Sequence, residues 1–599
     1  MIRWIPAAIA ALLLFGIDAR TVGLIADGRQ MIFTAVAITE TGSLGQARSR
    51  DLTVPRPGGD SVSRYGLAMS LAQVPAAALA PSIEERNGPG TSQWIFLVAP
   101  FVFVIACSIV AAAAVRRLGG GVPAQLSAIL LSTLASPFGS YAAVELSEPL
   151  QALALTASFA AAIRSRAVLA GLCAGVAVLT KSSLLLVVPL TALPLLLVPR
   201  DRLARVAGRW AMGFAPVAAV WLYFEIARFG HPLAGYAGEG FTHPFVDGAW
   251  RLLIGVNKGL LLYCPAAIVA CVALVRAMRG DRARAITLSG AVLPAVALWL
   301  LAAPWWAWHG VDGWGPRLIV PGIPLLAIAA SVEMERWRPI WRRALIVFSM
   351  LLNLPPLLQH PTPVVRYVWA NAWPVVDART AAGVPAFARH ERDGKTIIPP
   401  DQVLSTVPSA SPFVLLPWFY RAAHADPRIR AERLNSPPWL GARPDIRPSP
   451  PLTADEADVV THRSFAVYNA ALADQIMRAQ QLRQGDRALA LAQKLERLAP
   501  SGFADALLLE SYRLLKRKQD AVDWLQHLPM DRRTHPAINV VLALWDRDDG
   551  REEEARALLQ SSAPSYPGMP VQRALTAPLS EWPADFASMT ADPSLEVRR

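Results

Sequence analysis

Charge is scarce in this chain. Of its 599 residues only 17% are Asp, Glu, Lys or Arg, while 53% are hydrophobic, an odd balance for a soluble protein. Cysteine is scarcer still: Cys107, Cys173, Cys264 and Cys271 are the four, with no CxxC pair and no cluster with histidine. That speaks against a disulfide framework or a cysteine zinc site and leaves packing as their role. A glycine-rich phosphate loop, an HExxH helix and a Ser-His-Asp arrangement in a supporting context are missing too, which argues against nucleotide-driven chemistry.

What the chain has in place of charge is a series of apolar blocks, each roughly 15 to 23 residues long, the length a helix needs to cross lipid. In lipid the backbone must satisfy its own hydrogen bonds, so such a series reads as a polytopic α-helical membrane protein. The net charge of +13 raises nucleic acid as a partner, but the basic residues punctuate the blocks. They fall at Arg116 and Arg117; Arg164 and Arg166; Arg200, Arg202, Arg205 and Arg209; Arg276, Arg279, Arg282 and Arg284; and Arg336, Arg338, Arg342 and Arg343. Clusters at alternate helix ends are positive-inside anchors, so no nucleic-acid partner is expected.

Residues 1–17 carry Arg3 and an apolar run without a small-x-small cleavage site, and are expected to stay as a first helix. Further spans are expected near Trp94–Val115, Ala124–Val144, Pro149–Ile163, Ala167–Thr180, Ser182–Pro199, Trp210–Ala227, Gly259–Val275, Ala285–Trp306, Leu318–Val332 and Ala344–Leu358, about 11 transmembrane helices in all. Threading them from an inside N-terminus puts every arginine cluster on one side. Ser136–Glu148, Arg228–Lys258 and Pro304–Arg317 then fall on the other, with everything after His360.

Three parts follow: a transmembrane domain over 1–360, an irregular proline-rich connection over 361–455, and a helical domain over 456–599. The first outer loop, about 18–92, is too long for a mere connector, and its apolar middle, Tyr65–Ala80, suits an interfacial helix. In the connection, Phe413-Val414-Leu415-Leu416-Pro417-Trp418-Phe419-Tyr420 is apolar enough to pack on the membrane domain. In the last part Ala488, Ala521 and Ala555 are spaced 33 and 34 residues apart, the period of tetratricopeptide helix pairs. Such repeats stack into a surface that docks or stabilises, which allows a protein partner.

The outer loop opens on Ile25-Ala26-Asp27-Gly28-Arg29-Gln30 and continues with Thr41-Gly42-Ser43-Leu44. Further on come Glu145-Leu146-Ser147-Glu148-Pro149, the glycine-rich Gly171–Lys181 segment, Asn257-Lys258-Gly259-Leu260, and Gly313-Trp314-Gly315-Pro316-Arg317. In order and placement, residues 1–360 resemble polyprenyl-phosphate-dependent glycosyltransferases of the GT-C fold, of the protein-mannosyltransferase and aminoarabinose-transferase type. The resemblance implies a GT-C-like α-helical membrane domain, here with a C-terminal extracytoplasmic helical domain, in a bacterial inner membrane. It also implies a carboxylate in the first outer loop acting as base, and the matching position is Asp27. Many members have two adjacent acidic residues where this chain has Asp27-Gly28.

The residue chemistry agrees. A sugar on a lipid phosphate already has a good leaving group, so transfer needs a base for the acceptor hydroxyl and cations for the departing phosphate. The second carboxylate that glycoside hydrolysis uses as an acid is not required. Asp18, Glu40 and Asp60 are rival carboxylates on the same loop. Cations to hold the substrate are Lys181, Lys258, Arg317 and Arg64, with His309 beside them. Glu148, with Glu145, stands at a helix mouth to bind acceptor, hold a cation or, for Glu148, cap the helix. The tryptophan- and glycine-dense loop Trp305–Arg317 supplies aromatic planes for sugar or prenyl chain.

The expected activity is thus transfer of a hexose or pentose from a polyprenyl-phosphate donor to a lipid, glycan or protein acceptor on the periplasmic side. No cofactor and no resident metal is expected, and the need for a divalent cation is left open. A transporter or lipid flippase is the rival from another class, but the spans show no internal repeat and the charges sit at the outer face. A membrane-anchored binding scaffold is the third reading.

Overall fold

The computed structural model describes residues 5–15, 22, 25–47, 53–56, 58–230, 240–310, 313–358, 467–566 and 569–590, with short pieces between 375 and 416. Most of the 361–455 connection, Asp18 and residues 311–312 lie outside the described residues. Among the described residues four helices are long and apolar enough to cross a membrane: Gln93–Arg117, Arg200–Phe229, Arg282–Ala302 and Arg317–Met334. Val122–Leu131 and Ala167–Thr180 are shorter apolar helices. Large apolar side chains such as Met212, Tyr223 and Leu300 stay exposed on the spanning helices, a surface fitted to lipid rather than water. The chain is a predominantly helical, multi-pass membrane protein.

Several expected spans form as interrupted segments, and the interruptions have local causes. The span expected over Ala124–Val144 splits into a helix, Val122–Leu131, and a 3-10 segment, Pro137–Ala143. Ser132 and Thr133 donate their hydroxyls back to the Ala128 and Ile129 carbonyls, and Pro137 offers no N–H to continue the helix. Ser182–Pro199 becomes a 3-10 turn, a single helical turn at Val188–Thr191 and a second 3-10 turn, with Pro189 and Pro194 inside it. The span expected from Gly259 starts as one turn, Leu260–Tyr263, before Ala266–Gly280.

The arginine clusters gather at one end of the helices. Glu333, buried at the end of Ile323–Met334, is ringed by Arg276, Arg284 and Arg336. Glu335 accepts from the backbone N–H of Gly121 at 2.7 Å, just past Arg116 and Arg117. Arg164 donates to the Ala113 carbonyl at 3.0 Å, which ties a fourth loop to the same end. The Arg200–Phe229 helix lies against Ala167–Thr180, with Gly213 touching the Val168 carbonyl, so its arginine-bearing start is there too.

At the other end stands the loop that follows the first helix, and it is more structured than an exposed loop. Ile25 leads into the helix Ala26–Thr41, which Gly42 ends in the left-handed region (φ +63°), as glycine readily does. A small antiparallel sheet follows, with Ser61–Ser63 between Gly45–Gln46 and Thr53–Pro55. A helix, Leu67–Asn87, covers most of the stretch Tyr65–Ala80.

Among the described residues the C-terminal part is built mainly of three helical hairpins. Helices starting at Val467, Gly502 and Pro536 pair with helices starting at Gly485, Lys518 and Glu552. Ala488, Ala521 and Ala555, the alanines spaced 33 and 34 residues apart, are buried. Phe413, from the expected packing patch, meets the rings of Tyr263 and Trp314 at 4.9 and 5.2 Å.

Two large apolar cores stand out among the described residues. One belongs to the membrane helices and takes in Ile25 and Met31. The other joins Ile32, Phe33, Ala35 and Val36 to Ala76, Ala77 and Ala80 and to the C-terminal helices from Val467 onward. The Ala26–Thr41 helix therefore belongs to both.

Candidate active site

Asp27 lies in the first turn of the Ala26–Thr41 helix, where free backbone N–H groups and the helix dipole favour a negative charge. Tyr65 donates its hydroxyl to Asp27 Oδ1 at 2.6 Å, and Arg317 donates Nη2–H to Oδ2 at 2.5 Å. The same guanidinium gives Nε–H to Glu148 Oε1 at 2.7 Å, so Arg317 bridges two carboxylates that are 290 and 169 residues away in sequence. Its geometry suits this, because a rigid planar fork presents several N–H groups at fixed angles. The Asp27 side chain keeps 23% of its surface, whereas Arg317 and Glu148 are nearly enclosed.

Burial pushes the Asp27 carboxyl toward neutrality, but Arg317, the Tyr65 hydroxyl and the charge of Arg64 together hold it below the usual carboxylate range. A depressed value means an ionised carboxylate in neutral and mildly acidic conditions. The sign for folding follows: the stability Asp27 contributes is present above its unfolded-state value and is lost as pH falls through the folded one.

Tyr65 is itself held. Arg228, from the end of the Arg200–Phe229 helix, donates to the carbonyls of Ser63 and Tyr65 at 2.7 and 2.6 Å, pairs with Glu225, and packs over Phe224. Arg228 was not among the expected site residues. Its signal in the sequence was a charged pair, Glu225 and Arg228, one turn apart inside an apolar helix.

Gly28 answers the question raised by the missing second acidic residue. A Cβ there would lie 2.2 Å from Cγ of Glu145, which is only 1% exposed. Where a second acidic side chain would stand, the Glu145 side chain from another segment packs against Gly28. Gly28→Ala would gain about 1 kcal/mol in helix propensity, yet overpacking costs about 1–3 kcal/mol, so we expect a lower unfolding temperature. Thermal unfolding of the full-length protein in nanodiscs checks this; an unchanged or higher temperature would show that Glu145 yields.

The other expected residues divide. Gly66 is pressed against the Thr180 carbonyl with no room for a side chain, which sets the Arg64-Tyr65 turn beside half-buried Lys181. Lys258 is buried and donates Nζ–H to the Gly310 and Gly313 carbonyls at 3.4 and 3.1 Å, bracing the tryptophan loop. His309 is buried in that loop; burial, with the charges of Lys258 and His243, lowers it to about 3, so it is a neutral imidazole and no cation. Tyr141 donates to the Trp314 carbonyl at 3.4 Å, and the Trp314 indole N–H to Asn353 at 2.9 Å, fixing the loop from two sides.

The rival carboxylates Glu40 and Asp60 are elsewhere. Glu40 sits at the far end of Asp27's helix, bound to Lys494 and Tyr468, and Asp60 is paired with Arg56 and Arg478. Among the described residues no group of three or more His, Cys, Asp or Glu is placed to hold a metal ion.

Fold and site together define a helical membrane protein with a carboxylate–guanidinium–tyrosine cluster at the end of the bundle opposite its arginine clusters. Two solved structures are similar to it, both of ArnT from Cupriavidus metallidurans. The one bound to undecaprenyl phosphate has a TM-score of 0.43 and 17% identity, and the apo form 0.41 and 18%. In each case 88% of this chain and 80% of the other are covered. No protein-family model matches the sequence, and no curated protein does.

Proposed function

We propose that the protein is a membrane glycosyltransferase that moves a sugar from a polyprenyl-phosphate donor to an acceptor hydroxyl at the extracytoplasmic face, with Asp27 as general base. One observation carries this reading: an ionised, partly exposed carboxylate is fixed by Tyr65 and Arg317 at the end of the bundle away from the arginine clusters. By the positive-inside rule that end is the periplasmic one.

In the proposed reaction Asp27 takes the proton of the acceptor hydroxyl as its oxygen bonds to the sugar C1. The bond from C1 to the phosphate oxygen breaks, and its electron pair leaves on the prenyl phosphate. Attack from the face opposite the phosphate inverts the anomeric centre. Arg317, Arg64 and Lys181 are the cations available to the leaving phosphate, and fixed charges of this kind need no reorganisation as the bond breaks. The acceptor class, lipid, glycan or protein, is the part of the proposal that the chemistry leaves widest.

The test is release of polyprenyl phosphate from a panel of prenyl-linked pentoses and hexoses. Full-length protein in nanodiscs is supplied with an extract of envelope acceptors. Acceptor-dependent release with at least one donor is expected; no release across the panel would leave the scaffold reading in its place.

A further inference from the structure

The far end of the Asp27 helix is held by the C-terminal domain. Lys494 Nζ–H reaches both carboxylate oxygens of Glu40 at 2.8 Å, and Tyr468 donates its hydroxyl to the same group at 2.7 Å. Arg487 donates to the Thr41 carbonyl at 2.7 Å, and Thr41 meets Gln475 at 3.3 Å. Just beyond the helix, Gln475 donates to the Gly45 carbonyl, Asp474 accepts from the Ala47 N–H, and Arg478 pairs with Asp60 at 2.8 Å. Between these polar ties Ile32, Phe33, Ala35 and Val36 share one apolar core with Val467, Ala471 and Leu472.

We infer that the C-terminal helical domain is a positioning element of the active site: through Glu40 and Thr41 it sets the axial place and rotation of the Ala26–Thr41 helix, and so the aim of Asp27. The domain takes no part in the chemistry. Lys494, Tyr468 and Arg487 are its positioning residues, roughly 20 Å from Asp27 along a helix that rises 1.5 Å per residue. Such a helix is stiff, and its middle is clamped in the shared core, so a change at Glu40 is delivered to the first turn as a shift or rotation. At Asp27 the tolerance is small. Arg317, Tyr65 and Arg64 face it with positive charge or a proton to donate, Glu145 presses on Gly28, and Glu148 competes for the same guanidinium. Displacements near 1 Å at a reacting centre cost about 10²-fold in rate.

This inference rests on the proposed glycosyl transfer, and the experiment separates the two. Glu40→Lys in the full-length protein is compared with the charge-swapped pair Glu40→Lys with Lys494→Glu, and with Lys494→Arg as the conservative variant. Three quantities are read in nanodiscs: kcat and donor KM, the acid limb of the pH–rate profile, and amide exchange over residues 26–41. For Glu40→Lys we expect kcat to fall about 10²-fold with KM little changed. Its acid limb should move to higher pH as Asp27 slips from Arg317 and Tyr65, and exchange over 26–41 should rise. The swapped pair should recover most of each, and Lys494→Arg should stay near wild type.

A loss confined to the amount of folded protein would leave kcat per folded molecule and the acid limb in place, and would overturn the inference. So would full activity of Glu40→Lys, or a defect that the swap does not relieve. If the wild type transfers no sugar at all, the functional reading fails by itself, and the exchange over 26–41 still decides whether the C-terminal domain holds the helix.

Discussion

Asp27→Asn is expected to cut transfer by about 10²–10⁴-fold, the range over which a positioned base accelerates proton transfer, while the protein still folds, at a lowered unfolding temperature because the ion pair with Arg317 is lost, and binds donor as before. The substitution is nearly isosteric. The amide oxygen still accepts from Arg317, and the Tyr65 hydroxyl, which loses its acceptor, keeps enough side-chain exposure nearby to find water. What disappears is the lone pair able to take a proton from the acceptor. The effect should therefore fall on kcat, with donor KM within a few-fold, because the prenyl phosphate is held by cations that are unchanged. Initial rates of polyprenyl-phosphate release and a thermal unfolding curve measured on the same nanodisc preparation check both halves. If Asp27→Asn transfers sugar within about tenfold of wild type, Asp27 is not the base, and Glu145, pressed against Gly28, becomes the next carboxylate to replace.

That a multi-pass membrane protein stood in this sequence was legible, since arginine placement and apolar length are properties of composition along the chain. The two ends of the bundle separate in the structure as the arginines imply: Glu333 collects Arg276, Arg284 and Arg336 at one, and Asp27 meets Arg317 at the other. Continuity of the spans was not legible. Hydropathy is blind to the difference between a continuous helix and two 3-10 turns around Pro189 and Pro194, because both bury the same side chains. Asp27 was legible as a residue but not as part of a helix, since Ala26-Asp27-Gly28-Arg29-Gln30 has no apolar period to show where the helix starts. Its stability comes from Ile32, Phe33 and Val36 packing on a C-terminal helix more than 400 residues later.

Partnerships were the least legible part. Lys258 and His309 have the right residue types for a phosphate site, yet the buried positions they take turn one into a brace for the Gly310 and Gly313 carbonyls and keep the other neutral. Glu40 and Asp60, read as rivals to Asp27, hold the C-terminal domain instead. A sequence offers charges without partners, and it is the partner that separates a base from a clasp.

The Arg317 bridge yields the second large effect, with a sign that can be worked out in advance. Arg317→Gln leaves Asp27 and Glu148 with no guanidinium between them, in a place where burial already disfavours charge. Losing one partner of such a buried ion pair costs about 3–5 kcal/mol, so the unfolding temperature should drop clearly. Wild-type Asp27 is held below the usual carboxylate range, so the acid limb of its pH–rate profile should also lie low. In Arg317→Gln the carboxyl rises and that limb moves to higher pH. At a pH where both enzymes are fully ionised a rate loss of about 10²–10³-fold should remain, from the missing charge on the departing phosphate. Arg317→Lys separates the two roles. A compact ammonium keeps the local charge and should bring the limb most of the way back, but it cannot span both carboxylates as the planar fork does, so the rate should stay low. A profile that does not move in Arg317→Gln would mean that the guanidinium does not govern Asp27. A rate restored fully by lysine would mean that charge alone, without the bridge to Glu148, is what the site requires.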